Sequence, residues 1–330
     1  MKKQKILIIC KASINDGLGH LIRSATLADY LAENYPDLEI AFLLISDLNL
    51  SNEISKKIYP VKVIPNDSAI KIDQHFTHVI LDMLTLDAKI MAILQSQIES
   101  IISISPIFNR LEDCTLLITR TKYTNFDIPK TLSVKAGMEY SIIRKDCEKI
   151  SSERFQANLK RKSLNIAISM GGTDPENLTL KYLKEFKNFE QDLVFWVLLG
   201  EGYEHNYKDL SDIIKENRNH EIILARTNKN MWHILSNCSM AILKGGLTSY
   251  ETVYAGLPAI NVFSHPRHSF LVNELVENKL CLKTCYSVEE TLAEFQKAII
   301  DRAALFSIHQ NTKAIFKAQP MENVAKAILN

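Results

Sequence analysis

The sequence lacks any excess of charge: 39 basic side chains stand against 38 acidic ones, a formal +1 in 330 residues. That excludes the basic field on which nucleic-acid binding depends and points to a small partner. Long apolar runs are missing too. None approaches the ~18 residues of a membrane-crossing helix, and Ile6 to Cys10, after Lys2, Lys3 and Lys5, falls short of the roughly 7–15 residues of a secretory signal core. A cytosolic protein with no integral membrane segment is the expectation. Cysteines are few and scattered, with only Cys281 and Cys285 close together, so they read as buried thiols, not as a disulfide framework or a zinc site. Glycine is sparse, ten residues in all, and four of the ten form two doublets.

A length of 330 residues with 46% hydrophobic content suits two domains of about 150 residues each. Apolar runs recur at Ile6–Ile9, Ile40–Ile45, Val61–Ile64, Val79–Leu81, Ile101–Ile104 and Leu116–Ile118, with Leu21, Leu27, Ala28 and Leu31 at helical spacing between the first two. The pattern restarts at Leu164–Ser169, Leu193–Leu199, Ile222–Ala225, Met240–Leu243 and Ala259–Phe263. Strand and helix alternating in this way predict parallel sheets covered by helices. The fold class expected is α/β, two Rossmann-like domains facing a cleft, over 1–150 and 151–330. The charged stretch Lys145 to Ser163 reads as the crossing, and a helical tail from Val288 to Asn330, broken at Pro320, belongs to the second half. Ligands are expected beyond the carboxyl ends of the strands.

Lys244-Gly245-Gly246-Leu247-Thr248-Ser249-Tyr250-Glu251, followed by Ala255-Gly256-Leu257-Pro258, reads as a strand turning into a helix through a glycine pair. Without Cβ atoms, main-chain N–H groups there can approach an anion that the helix dipole favours. Glu251 stands where it could accept hydrogen bonds from sugar hydroxyls. The second doublet, Gly171-Gly172-Thr173-Asp174-Pro175-Glu176-Asn177, follows another strand; Asp174 or Thr173 would cap the next helix with Pro175 at its first position. Two such turns in one domain suit a diphosphate.

Near the N-terminus, Gly17-Leu18-Gly19-His20-Leu21-Ile22-Arg23 follows the first strand and opens the first helix. A helix start disfavours added positive charge, so His20 is expected to stay neutral and act as a base. Arg23 either holds a substrate anion or pairs with an acid. A dinucleotide fingerprint is incomplete, because Ile22 stands where its third glycine is needed. His75, His78 and Asp82 are a weak metal candidate, since strand alternation points His78 and the residue next to it to opposite faces and no cysteine joins them. His265-Pro266-Arg267-His268 follows a strand at the same end. No nucleophile elbow is present.

These motifs resemble the two-domain glycosyltransferase fold called GT-B. Within it they are most similar to the UDP-sugar hydrolases of pseudaminic acid biosynthesis, and more distantly to the UDP-GlcNAc transferases that make lipid II. Gly17 to Arg23 resembles the hydrolases' G-x-G-H-x-x-R, Ala136-Gly137-Met138-Glu139-Tyr140 with Arg144 their A-G-x-x-Y…R, Gly171 to Asn177 their G-G-[ST]-D-x-x-N, and Asn230-Met231 the N-M beside the uracil. The fourth strand ends Asp82-Met83-Leu84 where the family has D-x-Y. Ser105-Pro106-Ile107 replaces an acidic pair, and His268-Ser269 an N-Q. The resemblance implies His20 and Asp82 as catalytic residues. It implies Gly17, Gly19, Arg23, Tyr140, Arg144, Gly171, Gly172, Thr173, Gly245 and His268 at the substrate, Asn230 and Met231 at the base, the backbone of Gly246, Leu247, Thr248 and Ser249 on the diphosphate and Glu251 on the ribose. The expected substrate is a UDP-sugar of surface-glycan or nonulosonic acid biosynthesis, with no metal and no cofactor. Hydrolysis, transfer to an acceptor hydroxyl and passive binding all remain open.

Overall fold

The computed structural model describes residues 4–13, 17–48, 57–186, 189–226, 230–316 and 319–330. The chain forms two compact units, Met1–Ile143 with Ala318–Asn330, and Arg144–Lys317.

The first unit is a seven-stranded sheet of β1 (Lys5–Ala12), β2 (Glu39–Ser46), β3 (Val61–Ile64), β4 (His78–Asp82), β5 (Ser100–Ser103), β6 (Leu116–Thr119) and β7 (Ser133–Ala136), in the order β3-β2-β1-β4-β5-β6-β7. Every pairing is parallel. The central strands β1 and β4 read as unbroken apolar runs because both faces are covered. Ile6, Ile8, Ile80 and Ile102 enter one core with Leu21, Leu27, Ala28 and Leu31 of α1 (Gly19–Asn34). Ile9, Val79, Leu81 and Leu117 enter another with Ile90, Met91 and Leu94 of α2 (Ala88–Gln97).

The second unit carries β8 (Leu164–Ser169), β9 (Leu193–Leu199), β10 (Glu221–Arg226), β11 (Met240–Lys244), β12 (Ala259–Val262) and β13 (Lys283–Cys285) in the order β10-β9-β8-β11-β12-β13, again all parallel. Its helices are α3 (Ser152–Leu159), α4 (Leu178–Phe186), α5 (Tyr207–Glu216), α6 (Met231–Leu235), α7 (Leu247–Ala255), α8 (Phe270–Glu277), α9 (Val288–Ile300) and α10 (Arg302–Lys313). In its core Phe186 stacks with Tyr182 and Phe195 and meets Phe295 edge-on.

Two readings are corrected here. The stretch from Lys145 to Ser163 is no crossing: Ile150 N donates to Ala255 O at 2.8 Å, and Ser151 caps α3, whose Phe155 is fully buried. The final helix α11 (Pro320–Leu329) returns to the first unit, where Met321, Val324, Ala325 and Ile328 complete the core over α1.

In both sheets the strand order turns back on itself. The chain builds outward from β1 through β2 and β3, then resumes on the other side of β1 with β4; in the second unit β8 and β11 hold the same relation. The connections leaving these neighbouring strands diverge to opposite sides and open a crevice at their carboxyl ends. His20 follows β1, Asp82 ends β4, Gly171-Gly172 follow β8 and Gly245-Gly246 follow β11.

Candidate functional site

In the first unit, beyond the end of β1, Gly17 N donates to Ser13 O at 2.8 Å. Gly17 takes φ +75°, a left-handed conformation that a side chain disfavours; residues 14–16 before it lie outside those described. Gly19 opens α1, and a Cβ there would meet nothing within 4 Å. His20, Arg23 and Ser24 sit at i, i+3 and i+4 on one helix face, and the pairing Cys10↔Asp82 brings the end of β4 beneath that face. All three converge on Asp82. His20 Nδ1 lies 2.5 Å from Oδ1, Arg23 donates to Oδ1 from Nη2 at 2.5 Å and to Oδ2 from Nε at 3.0 Å, and Ser24 Oγ donates to Oδ2 at 2.9 Å.

Asp82 has no exposed surface. Burial alone would raise its pKa, but Arg23 and His20 outweigh it and hold the carboxyl well below the usual carboxylate range. Arg23 Nη2 also lies 3.1 Å from His20 Nδ1. A carboxylate can only accept, so the proton shared with Asp82 sits on Nδ1 and the guanidinium bonds go to the carboxylate. That tautomer leaves Nε2 with its lone pair, on a side chain 13% exposed. Of the two roles open to Arg23, pairing with an acid is the one observed. Nearby Cys10 is no nucleophile, because burial and then the charge of Asp82 push its thiol far up. Tyr140 packs partly buried against the core that contains Leu18 and Met321 and is not a partner of Asp82. His78 stands at the other end of β4 from Asp82. Among the described residues no group of three or more His, Cys, Asp or Glu could hold a metal ion.

In the second unit the turn after β8 divides into structural and open parts. Gly171 takes φ +91°. Gly172 O accepts from Gly202 N at 3.0 Å, and Gly200 packs so close that a Cβ on it would fall 2.3 Å from Gly172 O. Asp174 caps α4, its carboxylate accepting from Leu178 N at 2.8 Å and Thr179 N at 2.9 Å. The helix therefore starts at Leu178, and Pro175 lies in the turn before it, not at the first helical position. Thr173 is buried with Asp174.

The turn after β11 also separates its two glycines. A Cβ on Gly245 would fall 1.9 Å from the Phe263 ring, so packing requires glycine there. Gly246 has φ 172°, extended backbone open to any residue, and a Cβ on it would find its nearest neighbour at 4.0 Å. Ser249 Oγ accepts from Gly246 N at 3.1 Å and donates to Asn261 Oδ1 at 2.6 Å. Neither α1 nor α7 has a side-chain cap or an acidic residue in its first turn. By contrast α2, α3, α5, α9 and α10 are capped by Asp87, Ser151, Asn206, Ser287 and Asp301. The first N–H groups of α1 and α7 are thus left to solvent or to an anion. The run Ala255-Gly256-Leu257-Pro258 is a helix stop: Gly256 has φ +83°, Leu257 N closes on Thr252 O at 2.8 Å, and His309 Nδ1 donates to Gly256 O at 2.7 Å.

Glu251 is fully buried and held by Arg144. The backbone N of Arg144 donates to Oε1 at 3.2 Å, its Nε to Oε1 at 2.8 Å and its Nη2 to Oε2 at 2.5 Å, with Met231 Sδ 3.7 Å from Nη2. The sequence motifs bring Arg144, Met231 and Glu251 together, but as an ion pair with three of about four acceptor positions taken. Asn230 is exposed at the start of α6, and His268 is exposed at the end of a short 3-10 turn. Partial burial, then the charges of Arg267, His265 and Lys244, lower the pKa of His268. Sequence reasoning missed Ser24 and Asn261, buried polar residues that orient Asp82 and Ser249; the only signal for Ser24 was its position four residues after His20.

No protein-family model matches the chain. An uncharacterized protein of Methanocaldococcus jannaschii is 25% identical over 272 residues, 79% of this chain but 56% of its own length, so the chain spans little more than half of that relative. Among solved structures, Acinetobacter baumannii MurG superposes with a TM-score of 0.64 at 15% identity, over 98% of this chain and 99% of that one. A putative UDP-N-acetylglucosamine 2-epimerase of Listeria monocytogenes gives 0.66 at 13%, over 99% and 96%. The chain has the GT-B fold. Anabaena HepE, solved with UDP-glucose, shares this GT-B architecture with a TM-score of 0.62 at 13% identity and 98% coverage of both chains. Identities this low establish likeness of fold alone. Within the GT-B frame the two clusters above occupy the switch points of its two sheets. No helix among the described residues is long and apolar enough to cross a membrane.

Proposed function

We propose that the chain is a UDP-sugar enzyme that releases UDP from a UDP-linked amino-deoxy sugar, with His20 as general base and water as acceptor. The observation that carries this reading is the His20–Asp82 pair. A buried carboxylate held ionised by Arg23 fixes the imidazole tautomer and stabilises the imidazolium once Nε2 takes a proton. Water attacks the anomeric carbon and passes one proton to Nε2. The bond from that carbon to the phosphate oxygen breaks, and its electron pair leaves with UDP. The second unit binds the nucleotide: main chain from Gly246 to Ser249 and at Gly171-Gly172 meets the diphosphate and the charge that develops on it, and Asn230 and Met231 lie beside the base. Glu251 reaches the ribose through the acceptor position that Arg144 leaves open. Two glycines support close ligand approach, since neither backbone angle nor neighbouring atoms require glycine at Gly19 or Gly246. The family resemblance supports uracil, an amino-deoxy sugar and a cytoplasmic setting.

A second reading, transfer of the sugar to an acceptor hydroxyl, uses the same donor site and base. Leu84 and Phe108, just beyond β4 and β5, are exposed apolar side chains joined by Phe108 N donating to Leu84 O at 2.9 Å. They favour an acceptor larger than water. Incubation with a panel of UDP-sugars without acceptor decides between the two. UDP and free sugar that disappear with His20→Ala support hydrolysis, and turnover only after acceptor is added supports transfer. Tight UDP binding with neither outcome leaves a passive binding protein and sinks both.

A further inference from the structure

The motifs above leave one charged residue at the second switch point unassigned. Lys244 is the last residue of β11. One step earlier, Leu243 pairs with Ser169 of β8, which places Lys244 alongside the chain entering Gly171-Gly172, and Gly245-Gly246 follow it directly. Its aliphatic stem lies over the first doublet, since a Cβ on Gly171 would sit 3.7 Å from Lys244 Cδ. The ammonium is partly exposed, and its recorded partner is Glu176, with Oε1 3.9 Å away, beyond hydrogen-bonding distance. Glu176 is itself held by Ser264 Oγ, which donates to the same oxygen. The other charged and titratable groups that feel Lys244 are the Asp174 carboxylate and the His268 imidazole.

We infer that Lys244 is the cation that binds the substrate diphosphate and neutralises the charge gained as it leaves, with Glu176 holding the ammonium in place until the diphosphate replaces it. The inference rests on the UDP-sugar reading. Neither glycine turn carries a side-chain cation of its own, and backbone N–H groups supply only partial charge. A fixed ammonium between the two turns adds a full positive charge where the second phosphate of a nucleoside diphosphate comes to rest. It acts most strongly in the transition state, when that phosphate gains negative charge.

The test is isothermal calorimetry with uridine, UMP and UDP, together with steady-state turnover, on the unaltered protein, Lys244→Met and Glu176→Gln. Methionine keeps a stem over Gly171, and an unchanged thermal midpoint verifies folding. Lys244→Met should weaken UDP by about 10–100-fold while leaving uridine within about twofold, and should lower kcat as well as affinity. Glu176→Gln should bind UDP as tightly as the unaltered protein or more tightly. UDP affinity that survives in Lys244→Met, equal losses for uridine and UDP, or weaker UDP binding in Glu176→Gln overturns the assignment. If the unaltered protein binds no UDP, the parent reading itself fails, and the two failures are told apart by that first titration.

Discussion

Asp82→Asn is the substitution that bears hardest on the first unit, because its cost is set by geometry that leaves no room for adjustment. Each carboxylate oxygen faces two donors: His20 Nδ1 and Arg23 Nη2 at Oδ1, Arg23 Nε and Ser24 Oγ at Oδ2. Asparagine must turn an NH₂ toward one of these pairs, so N–H meets N–H, and the buried guanidinium of Arg23 loses its counter-charge. Breaking a buried pair from one side costs about 3–5 kcal/mol. With a urea slope of roughly 1–3 kcal/mol per molar, the midpoint of the first unit should fall by at least about 1 M. Both tryptophans, Trp196 and Trp232, belong to the second unit, so their fluorescence follows that unit while far-UV circular dichroism follows both. The expected result is an early transition by dichroism with the fluorescence transition in place. Turnover should fall by about 10³–10⁴, as when a base loses its orienting carboxylate and takes the wrong tautomer. The double variant Asp82→Leu, Arg23→Met removes both charges and should regain most of the stability without regaining activity. A loss below about 1 kcal/mol would refute the pairing argument. The acid limb gives a second check. Because the folded pKa of Asp82 is depressed, its contribution is fully present above the unfolded value near 3.9 and lost as pH falls below it; Asp82→Asn should flatten that limb.

Three further outcomes follow from the second unit. Gly246→Ala should leave stability within about 0.5 kcal/mol yet weaken UDP binding, whereas Gly245→Ala should destabilise the unit by forcing Phe263 aside; calorimetry and thermal melts of the pair separate ligand approach from packing. Glu251→Gln should cost about 3–5 kcal/mol in tryptophan-detected unfolding, because Arg144, its side chain 14% exposed, loses its counter-charge, and UDP affinity that did not change would remove Glu251 from the ribose. His309 is fully buried with its pKa lowered by burial, so the folded chain holds it neutral. Its contribution is present above the unfolded value of about 6.5 and fades as pH drops below it. Titrating the melting temperature should show that slope, and a slope as steep in His309→Gln would assign it to another group.

The strand pattern was legible because buried parallel strands are apolar along their whole length, and the apolar runs fell on eleven strands of the two sheets. The strands that escaped, β7 (Ser133–Ala136) and β13 (Lys283–Cys285), lie at sheet edges, where one flank is unpaired and composition need not be apolar. Motifs next to strand ends located His20, Asp82 and both glycine doublets. Strand order is a long-range property, so only the structure shows that these four places lie at the two switch points. Partners across the chain were equally hidden: nothing local announces that Arg144 takes up the carboxylate of a residue 107 positions away, or that Gly245 answers to Phe263 while Gly246 answers to no neighbour.

The return of α11 to the first unit has a consequence for how the protein is made. A ribosome completes the whole second unit before it releases Met321, Val324, Ala325 and Ile328, the side chains that close the apolar face beside α1. The nascent first unit must wait, with that face uncovered, while more than half the chain is synthesised behind it. Losing α11 would therefore injure the unit that holds His20, although the whole second unit separates the two in sequence.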